Sequence, residues 1–514
     1  MKLSATIANS LWVASSLPAW RRFCVALKHP AEAQHHWLRE HLARNADCEF
    51  ARVHGLESVR SYEDFARRVP LADYEQHEPW VARIRQGESR LLTSEPVTHL
   101  IPTGGSTGAR KLIPFTAGLQ RDFNRAIGPW ICDLAFQHPG LLGGPAYWSV
   151  TPAVAEAEAE ISAVPVGFDD DASYLGGAQK WLVQAALVAP PELRLISDLM
   201  RFHYETLRCL VRHPDLRLIS VWHPSFLSLL LDALPACWKK LIVDLRGNRE
   251  LLRADPLKPE TIWPHLKVIS CWGDAHAEIG LADLRRRFPR THVQPKGLLA
   301  TEAFVTIPFD GYHLVAVCSH FFEFMDEGGT VHLVHELRQA QTYEVVVTTS
   351  GGLWRYRLGD RVQVDGFAGK TPSLRFVGRD SAVSDRCGEK LSEAFVAQVI
   401  RELARVSGSS PRYALLAPDT EANGVHYTLH WEGECPPGLA ARVDESLRQN
   451  PNYAWCRAFG QLQTCRAFHI RAGGYKTFVA HEMKRGRRLG EIKPAALSCD
   501  TGWSQRFSGD ALGR

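Results

Sequence analysis

The sequence predicts an α/β protein: a large N-terminal domain of mostly parallel sheets closed by an antiparallel β region, and a smaller C-terminal α+β domain. Three observations carry this. At 514 residues the chain exceeds what one hydrophobic core serves. Its middle alternates strand-like and helix-like runs, the pattern of parallel strands joined by crossover helices. After Phe304 the runs turn β-branched and aromatic, punctuated by Gly and Asp, as antiparallel strands are.

The bulk composition excludes several classes. Hydrophobic residues at 45% and charged residues at 23% describe a globular protein rather than a disordered one. A formal net charge of +4 is far from that of a dedicated nucleic-acid binder. The 12 cysteines are scattered, without a C-x-x-C pair or zinc-ligand spacing, which suits reduced thiols in a cytoplasm. Asn9 and Ser10 interrupt the apolar run near the N-terminus, so an amphipathic first helix is expected rather than a signal peptide. No run approaches the ~18 apolar residues of a membrane span.

The elements follow in order. Between residues 33 and 69 the chain reads as helices: Trp37, Leu38, His41 and Leu42 share a face, and "SYEDFARRV" opens on a Ser cap. In "AGLQRDFNRAIGPWICDLAFQHPG", Leu119, Phe123 and Ile127 recur at helical spacing, with Pro129 expected to kink or restart the helix. Strands are expected in "AYWSV", "HLKVISCW" and "THVQPKGLLATE", and helices in "VWHPSFLSLLLDAL" and "LADLRRRF". The runs from "GYHLVAVC" to "SLRFVGRD" give the antiparallel region. From about residue 382 onward, a helix in "EKLSEAFVAQVIRELARV" precedes strands around Tyr413 and Tyr427, the start of a separate domain.

Chemistry enters at "HLIPTGGSTGARKLIPFT", residues 99–116. Glycines let backbone N–H groups approach a ligand, and hydroxyls with a cation suit phosphate oxygens. A Walker A loop is excluded, because Gly108 is followed by Ala109, Arg110 and Lys111. The run instead matches T-S-G-T-T-G-x-x-K at Thr103, Gly105, Thr107, Gly108 and Lys111, with Ser106 for Thr. That is the phosphate loop of adenylate-forming enzymes. Thr301 and Glu302 stand after a predicted strand, where those enzymes carry Y-G-x-T-E, and a carboxylate there can hold Mg2+. Asp360, in "WRYRLGDRVQVDGF", is placed after a strand as in Y-x-T-G-D, where a carboxylate can accept both ribose hydroxyls. Taken alone, Gly359-Asp360 reads more readily as a hairpin turn.

With "ATEAF", "GGLWRYRLGDRVQVDGF", "FVGRD" and "RRLGEIKPAAL", the loop resembles the Gretchen Hagen (auxin-responsive) family of acyl-acid amido synthetases, in its bacterial branch, from about residue 34 to 497. The resemblance implies an adenylate-forming fold, with residues 1–381, including a β-barrel-like region, binding ATP and acyl acid and a small mobile C-terminal α+β lid of residues 382–514. It implies ATP and Mg2+, a small carboxylic acid, and an amine, expected to be an amino acid. Thr103, Gly105, Ser106, Thr107 and Gly108 would cradle phosphate beside Lys111. Thr301 and Glu302 would flank it, with Glu302 on the metal. Asp360 and Arg379 would hold the nucleotide, Asp380 would act as a hinge, and Lys493 would be the C-terminal catalytic lysine, favoured over Lys476. Gly104 replaces the family's usual Ser, and Leu298 stands where a Tyr commonly stacks on adenine.

Trp148, Trp222 and Phe226, with His223 beside them, are candidates for an apolar acid pocket, although plain core packing explains them as well. The basic run at 481–490 reads as a solvated loop, since it lacks interleaved aromatics. Neither a nucleic-acid nor a membrane partner is expected, and the oligomeric state stays open. Two further readings remain: an acyl-CoA-type ligase sharing the adenylation step, and a catalytically silent nucleotide-binding homologue.

Overall fold

The computed structural model describes residues 3–103, 111–149, 162–168, 177–196, 198–245, 251–274, 277–379, 383–421, 424–485, 487 and 492–512. They fall into two compact units. The first comprises Met1–Ser220, Trp238–Trp272 and Arg290–Phe376, and the second comprises Val221–Cys237, Gly273–Pro289 and Val377–Arg514.

The chain opens with helices α1 (Leu3–Ala26), α2 (Pro30–Arg44), α3 (Glu49–Val53), α4 (Tyr62–Arg68) and α5 (Tyr74–Arg85). Ser61 caps α4 by accepting the Asp64 N–H, as its sequence predicts. Asp73 and Gln76 form a capping box on α5. The first helix departs from expectation: Ala5, Ala8, Trp12, Phe23 and Ala26 are buried, yet Ile7, Leu11 and Val25 are exposed. It is therefore apolar on both faces rather than amphipathic.

Next come a hairpin of β1 (Val97–Pro102) and β2 (Leu112–Thr116) and the long helix α6 (Ala117–Gln137). Thr116 caps α6 by accepting the Leu119 N–H. Pro129 does not break the helix. Beside it, Gly128 packs so closely on α1 that an added Cβ would lie 3.0 Å from that of Ala19, and tertiary packing of this kind offsets the one hydrogen bond a proline removes.

A four-stranded parallel sheet follows, formed by β3 (Ala146–Trp148), β4 (Leu218–Ser220), β5 (Val268–Trp272) and β6 (His292–Lys296) in sequential order. In the chain, α7 (Gly177–Ala186) and α8 (Leu199–Val211) separate β3 from β4, α9 (Pro224–Asp244) separates β4 from β5, and α10 (Glu278–Arg287) separates β5 from β6. All of β4 and most of β5 are buried, as strands covered on both faces are.

The antiparallel region is a seven-stranded sheet, β7 (Thr306–Phe309), β8 (Tyr312–Val315), β9 (Phe321–Met325), β10 (Val331–Leu333), β11 (Thr342–Thr348), β12 (Tyr356–Ala368) and β13 (Thr371–Arg379), in the spatial order 10-9-11-12-13-8-7. Its Val345, Val347, Val362 and Val364 share a core with Trp12, Phe23 and Trp130.

In the second unit, the small hairpin of β14 (Val383–Ser384) and β15 (Leu391–Ser392) leads into α11 (Glu393–Ser407). A mixed sheet of β16 (Tyr413–Glu421), β17 (Gly424–Glu432), β18 (Arg466–Ile470) and β19 (Gly509–Leu512) is interleaved with α12 (Leu439–Leu447), α13 (Pro451–Ala458), α14 (Gly474–Lys484) and α15 (Trp503–Arg506). Apolar residues of α11, α12 and α13 pack with Leu416, Leu429 and Trp431 into a separate core.

Candidate functional site

The Gly-rich loop hangs from a closed neck. The Thr103 N–H donates to the Lys111 carbonyl at 2.9 Å, extending the ladder of β1 and β2 past Pro102 and Leu112. Lys111 is half-buried, with Nζ 5.6 Å from the ring centroid of Tyr74, in reach of a cation–π contact. The Tyr74 hydroxyl accepts the Leu112 N–H at 2.8 Å, so one residue braces both the strand and the lysine. The expected phosphate ligands Gly105, Ser106, Thr107 and Gly108, and the departure at Gly104, lie outside the described residues.

Ile101, two residues before Thr103, packs in a cluster with Phe115, Leu119 and Phe123, against which Phe304 lies. Phe304 is two residues after Glu302, so this cluster draws the "ATEAF" turn toward the hairpin. Thr301 is half-buried and Glu302 is buried at 5% exposure. The turn is pinned by the Phe304 N–H, which donates to His320 Nε2 at 3.2 Å. Burial holds His320 neutral, with its pKa lowered to about 3, and so able to accept. Leu298 is buried in the main core.

Asp360 is neither after a strand nor in a turn. It lies inside β12, where the register jumps: Arg361 faces Glu344, but Arg357 faces Val346. Leu358, Gly359 and Asp360 thus stand opposite Val345 alone, which is a bulge. Gly359 has φ +72° and empty space around a would-be Cβ, so the backbone conformation rather than crowding requires glycine there. Tyr356, Leu358, Asp360, Val362 and Val364 are all buried, so Asp360 is a carboxylate on an otherwise apolar face.

The start of this strand is fixed by a residue that the sequence did not single out. Arg355, 5% exposed and at φ +44°, makes Nε and Nη contacts of 2.7–3.0 Å with the Glu323 carboxylate. It also donates to the Ala66 and Val69 carbonyls at 2.9 and 2.8 Å, and Tyr62 donates to Glu323 at 2.8 Å. Removing one partner of a buried pair of this kind costs about 3–5 kcal/mol. The arginine in "GGLWRYRLGD" was visible, but its partner 32 residues upstream was not.

Another buried charge lies on α6. Asp122 is fully buried and its pKa is pushed up to about 7 by that burial, against the pull of Arg125 at 3.2 Å.

In the second unit, Arg379 ends β13, and Asp380 lies outside the described residues. Lys493 and Lys476 are both exposed. Lys476 lies in the first turn of α14, whereas Lys493 lies in a stretch, 492–495, that is neither helix nor strand. Glu393, whose pKa is raised by burial, feels the opposing charges of Lys493 and Arg487 and accepts the Ala496 N–H at 3.1 Å.

His481, Glu482 and Asp500 bring ligand atoms together, but cations already compensate this group: Arg485 lies 2.6 Å from Asp500 and Arg487 2.8 Å from Glu482. These ion pairs also account for part of the basic run at 481–490.

Of the candidate pocket residues, Trp222 is exposed and Phe226 half-buried. His223 is 7% exposed, with its ring 6.4 Å from that of Tyr475. Trp148 lines an apolar cavity of about 50 Å³ with Trp12, Ile131, Leu134 and Leu218, far smaller than the ~300 Å³ at which ligand pockets begin. Among the described residues no helix is long and apolar enough to cross a membrane. None of the 12 cysteines is in a disulfide.

Known proteins resemble the chain in sequence and in fold. At 26% identity the chain is similar to indole-3-acetic acid-amido synthetase GH3.5 of Arabidopsis thaliana, over 78% of this chain and 76% of that protein. It is equally similar, at 26%, to probable indole-3-acetic acid-amido synthetase GH3.4 of Oryza sativa subsp. japonica, over 91% of this chain and 86% of that one. Its fold matches the solved structure of AtGH3.15 acyl acid amido synthetase in complex with 2,4-DB, with a TM-score of 0.84, 19% identity and 98% of each chain covered. A looser match is 2-hydroxyisobutyryl-CoA ligase in the postadenylation state, with a TM-score of 0.52, 11% identity, and 91% of this chain and 89% of that one covered. Residues 19–252 match the GH3 family N-terminal domain, 313–379 its central domain and 394–501 its C-terminal domain. With the three domains in order over most of its length, the chain belongs to the GH3 family.

Proposed function

We propose that the protein is an acyl-acid amido synthetase. It activates a small carboxylic acid with ATP, giving an acyl-adenylate and pyrophosphate, and passes the acyl group to an amine, giving an amide and AMP. The observation that carries this reading is the three-domain GH3 match in chain order, alongside relatives that are themselves named acid-amido synthetases.

The chemistry explains the residue types. A carboxylate resists amine attack because oxide would have to leave, and AMP makes the leaving group a good one. In this reading Thr103, Gly105, Ser106, Thr107 and Gly108 receive the phosphates, and Lys111 supplies a cation at the neck. Thr301 and Glu302 would flank the phosphates. Glu302, a buried oxygen donor, is of the kind Mg2+ takes, and Mg2+ held there would offset phosphate charge. Asp360 takes the ribose hydroxyls, Arg379 meets ribose or phosphate, and Lys493 contacts carboxylate and α-phosphate during adenylation. Residues 1–381 act as the binding part and 382–514 as the part that moves, with Asp380, near the junction, absorbing the hinge rotation. The acceptor is an amino acid, and a reducing cytoplasm suits the chemistry.

Acid-dependent exchange of labelled pyrophosphate into ATP, with pooled carboxylic acids, Mg2+ and no acceptor, tests the first half-reaction. Exchange with one pool is expected. Binding of ATP without exchange in any pool would point instead to a silent homologue. Product mass after adding amino acids or coenzyme A then tests the acceptor.

A further inference from the structure

The stretch that carries Lys493 has no helix or strand to define it, so its backbone groups must find partners elsewhere, and those partners are specific. On one side, the Tyr475 hydroxyl donates to the Ile492 carbonyl at 3.0 Å. On the other, Glu393 Oε1 accepts the Ala496 N–H at 3.1 Å. Leu416 closes the far end, its N–H donating to the Ala496 carbonyl at 2.8 Å and its carbonyl accepting the Ser498 N–H at 2.9 Å.

We propose that Tyr475 and Glu393 are positioning residues that set where the Lys493 ammonium stands, by clamping the backbone on either side of it. The proposal rests on Lys493 being the lysine of adenylation.

Each clamp is anchored. Tyr475 sits in the first turn of α14, whose opening N–H groups at Gly473 and Gly474 donate to the Glu432 carboxylate at 3.1 and 2.9 Å. A Cβ at Gly474 would come within 2.8 Å of the Tyr413 ring and 2.9 Å of Glu432 Oε2, so the turn cannot shift freely. The phenol is flanked by Tyr413 and Phe478, with ring centroids 5.9 and 6.4 Å away. Burial pushes its ionisation up, which keeps the hydroxyl a donor. Beside it stands Ser225, whose Oγ lies 2.6 Å from His223 Nδ1. Glu393 is the first residue of α11, just after its Ser392 cap, so its carboxylate leaves from a fixed helix start. Its charge also acts on Lys493 itself. Lys493 is exposed, so the backbone on its flanks is where its reach can be set.

Pyrophosphate exchange would be measured for Tyr475→Phe, Glu393→Ala and Glu393→Gln, each alone and combined with Lys493→Ala. A small displacement of a reacting group costs up to ~100-fold. Tyr475→Phe and Glu393→Ala are therefore expected to lower kcat by about 10- to 100-fold with unchanged ATP KM and only a modest fall in melting temperature from the orphaned backbone group. Glu393→Gln, which keeps an acceptor oxygen for the Ala496 N–H, should recover most of the rate. In the Lys493→Ala background neither clamp variant should lower the rate further. Losses that multiply with Lys493→Ala would overturn the proposal, because the clamps would then act by another route. A slow Lys493→Ala beside a Tyr475→Phe at wild-type rate would sink the clamp and leave the lysine in place. A Lys493→Ala at wild-type rate would remove both.

Discussion

Asp360 and Lys493 are held in opposite ways. Asp360 is buried inside a strand, its place fixed by a backbone bulge and by the Arg355–Glu323 pair at the strand's start. Lys493 is exposed, and the backbone on either side of it is held at Ile492 and Ala496. A group that must stay put for every turnover can be locked by its own burial, at the cost of desolvating a charge. A long cation that must reach its target needs a firm base.

This contrast is open to attack, most strongly at the lysine. Lys493→Ala is expected to lower pyrophosphate exchange by ~100- to 1000-fold without moving the melting temperature, whereas Lys476→Ala should stay within about twofold of wild type. The reverse pattern would transfer the role to α14. Asp360→Asn should weaken ATP binding by about 10- to 100-fold, since a hydrogen bond to a charged group is worth ~1.5–3 kcal/mol. Isothermal titration reads this directly, and an unchanged Kd would remove Asp360 from the nucleotide site. Gly359→Ala separates strain from crowding: its φ of +72° and open surroundings predict a loss of about 1–2 kcal/mol in denaturant unfolding, owed to the backbone alone.

A further test concerns pH. The pKa of Asp122 is raised to about 7 in the fold, against about 4 for an unfolded aspartate. Between those values the folded protein keeps a proton that the unfolded chain has released, so this residue's contribution to stability falls as pH rises through the window. Asp122→Asn removes that dependence, and its melting temperature relative to wild type should be higher at pH 8 than at pH 5. An equal difference at both pH values would show that Arg125 keeps Asp122 ionised throughout.

Much of this was legible in the sequence, and what was missed shares a cause. The Ser61 cap, the parallel strands of the middle and the shift to antiparallel strands after Phe304 are local signals, and they hold. Asp360 was misplaced because Gly-Asp signals a turn and a bulge alike, and only the pairing with β11 distinguishes them. The run through Pro129 depends on α1 lying against Gly128. Tyr475 stood in "GGYKTF" beside the lysine being weighed, but its acceptor is 17 residues further on, and no spacing rule connects them.

The bulge in β12 also bears on what the chain can lose. Three residues stand where one would do, an excess of two, so the inward and outward alternation from Tyr356 to Val364 passes through it unbroken. Deleting a single residue there would turn Val362 and Val364 out of the core and ruin the sheet. Deleting Gly359 and Asp360 together would restore an ordinary ladder with every later side chain on its proper face. The carboxylate proposed to hold the ribose is thus carried on a detachable insert, and if that proposal holds, a descendant could discard the contact in one step while keeping its architecture intact.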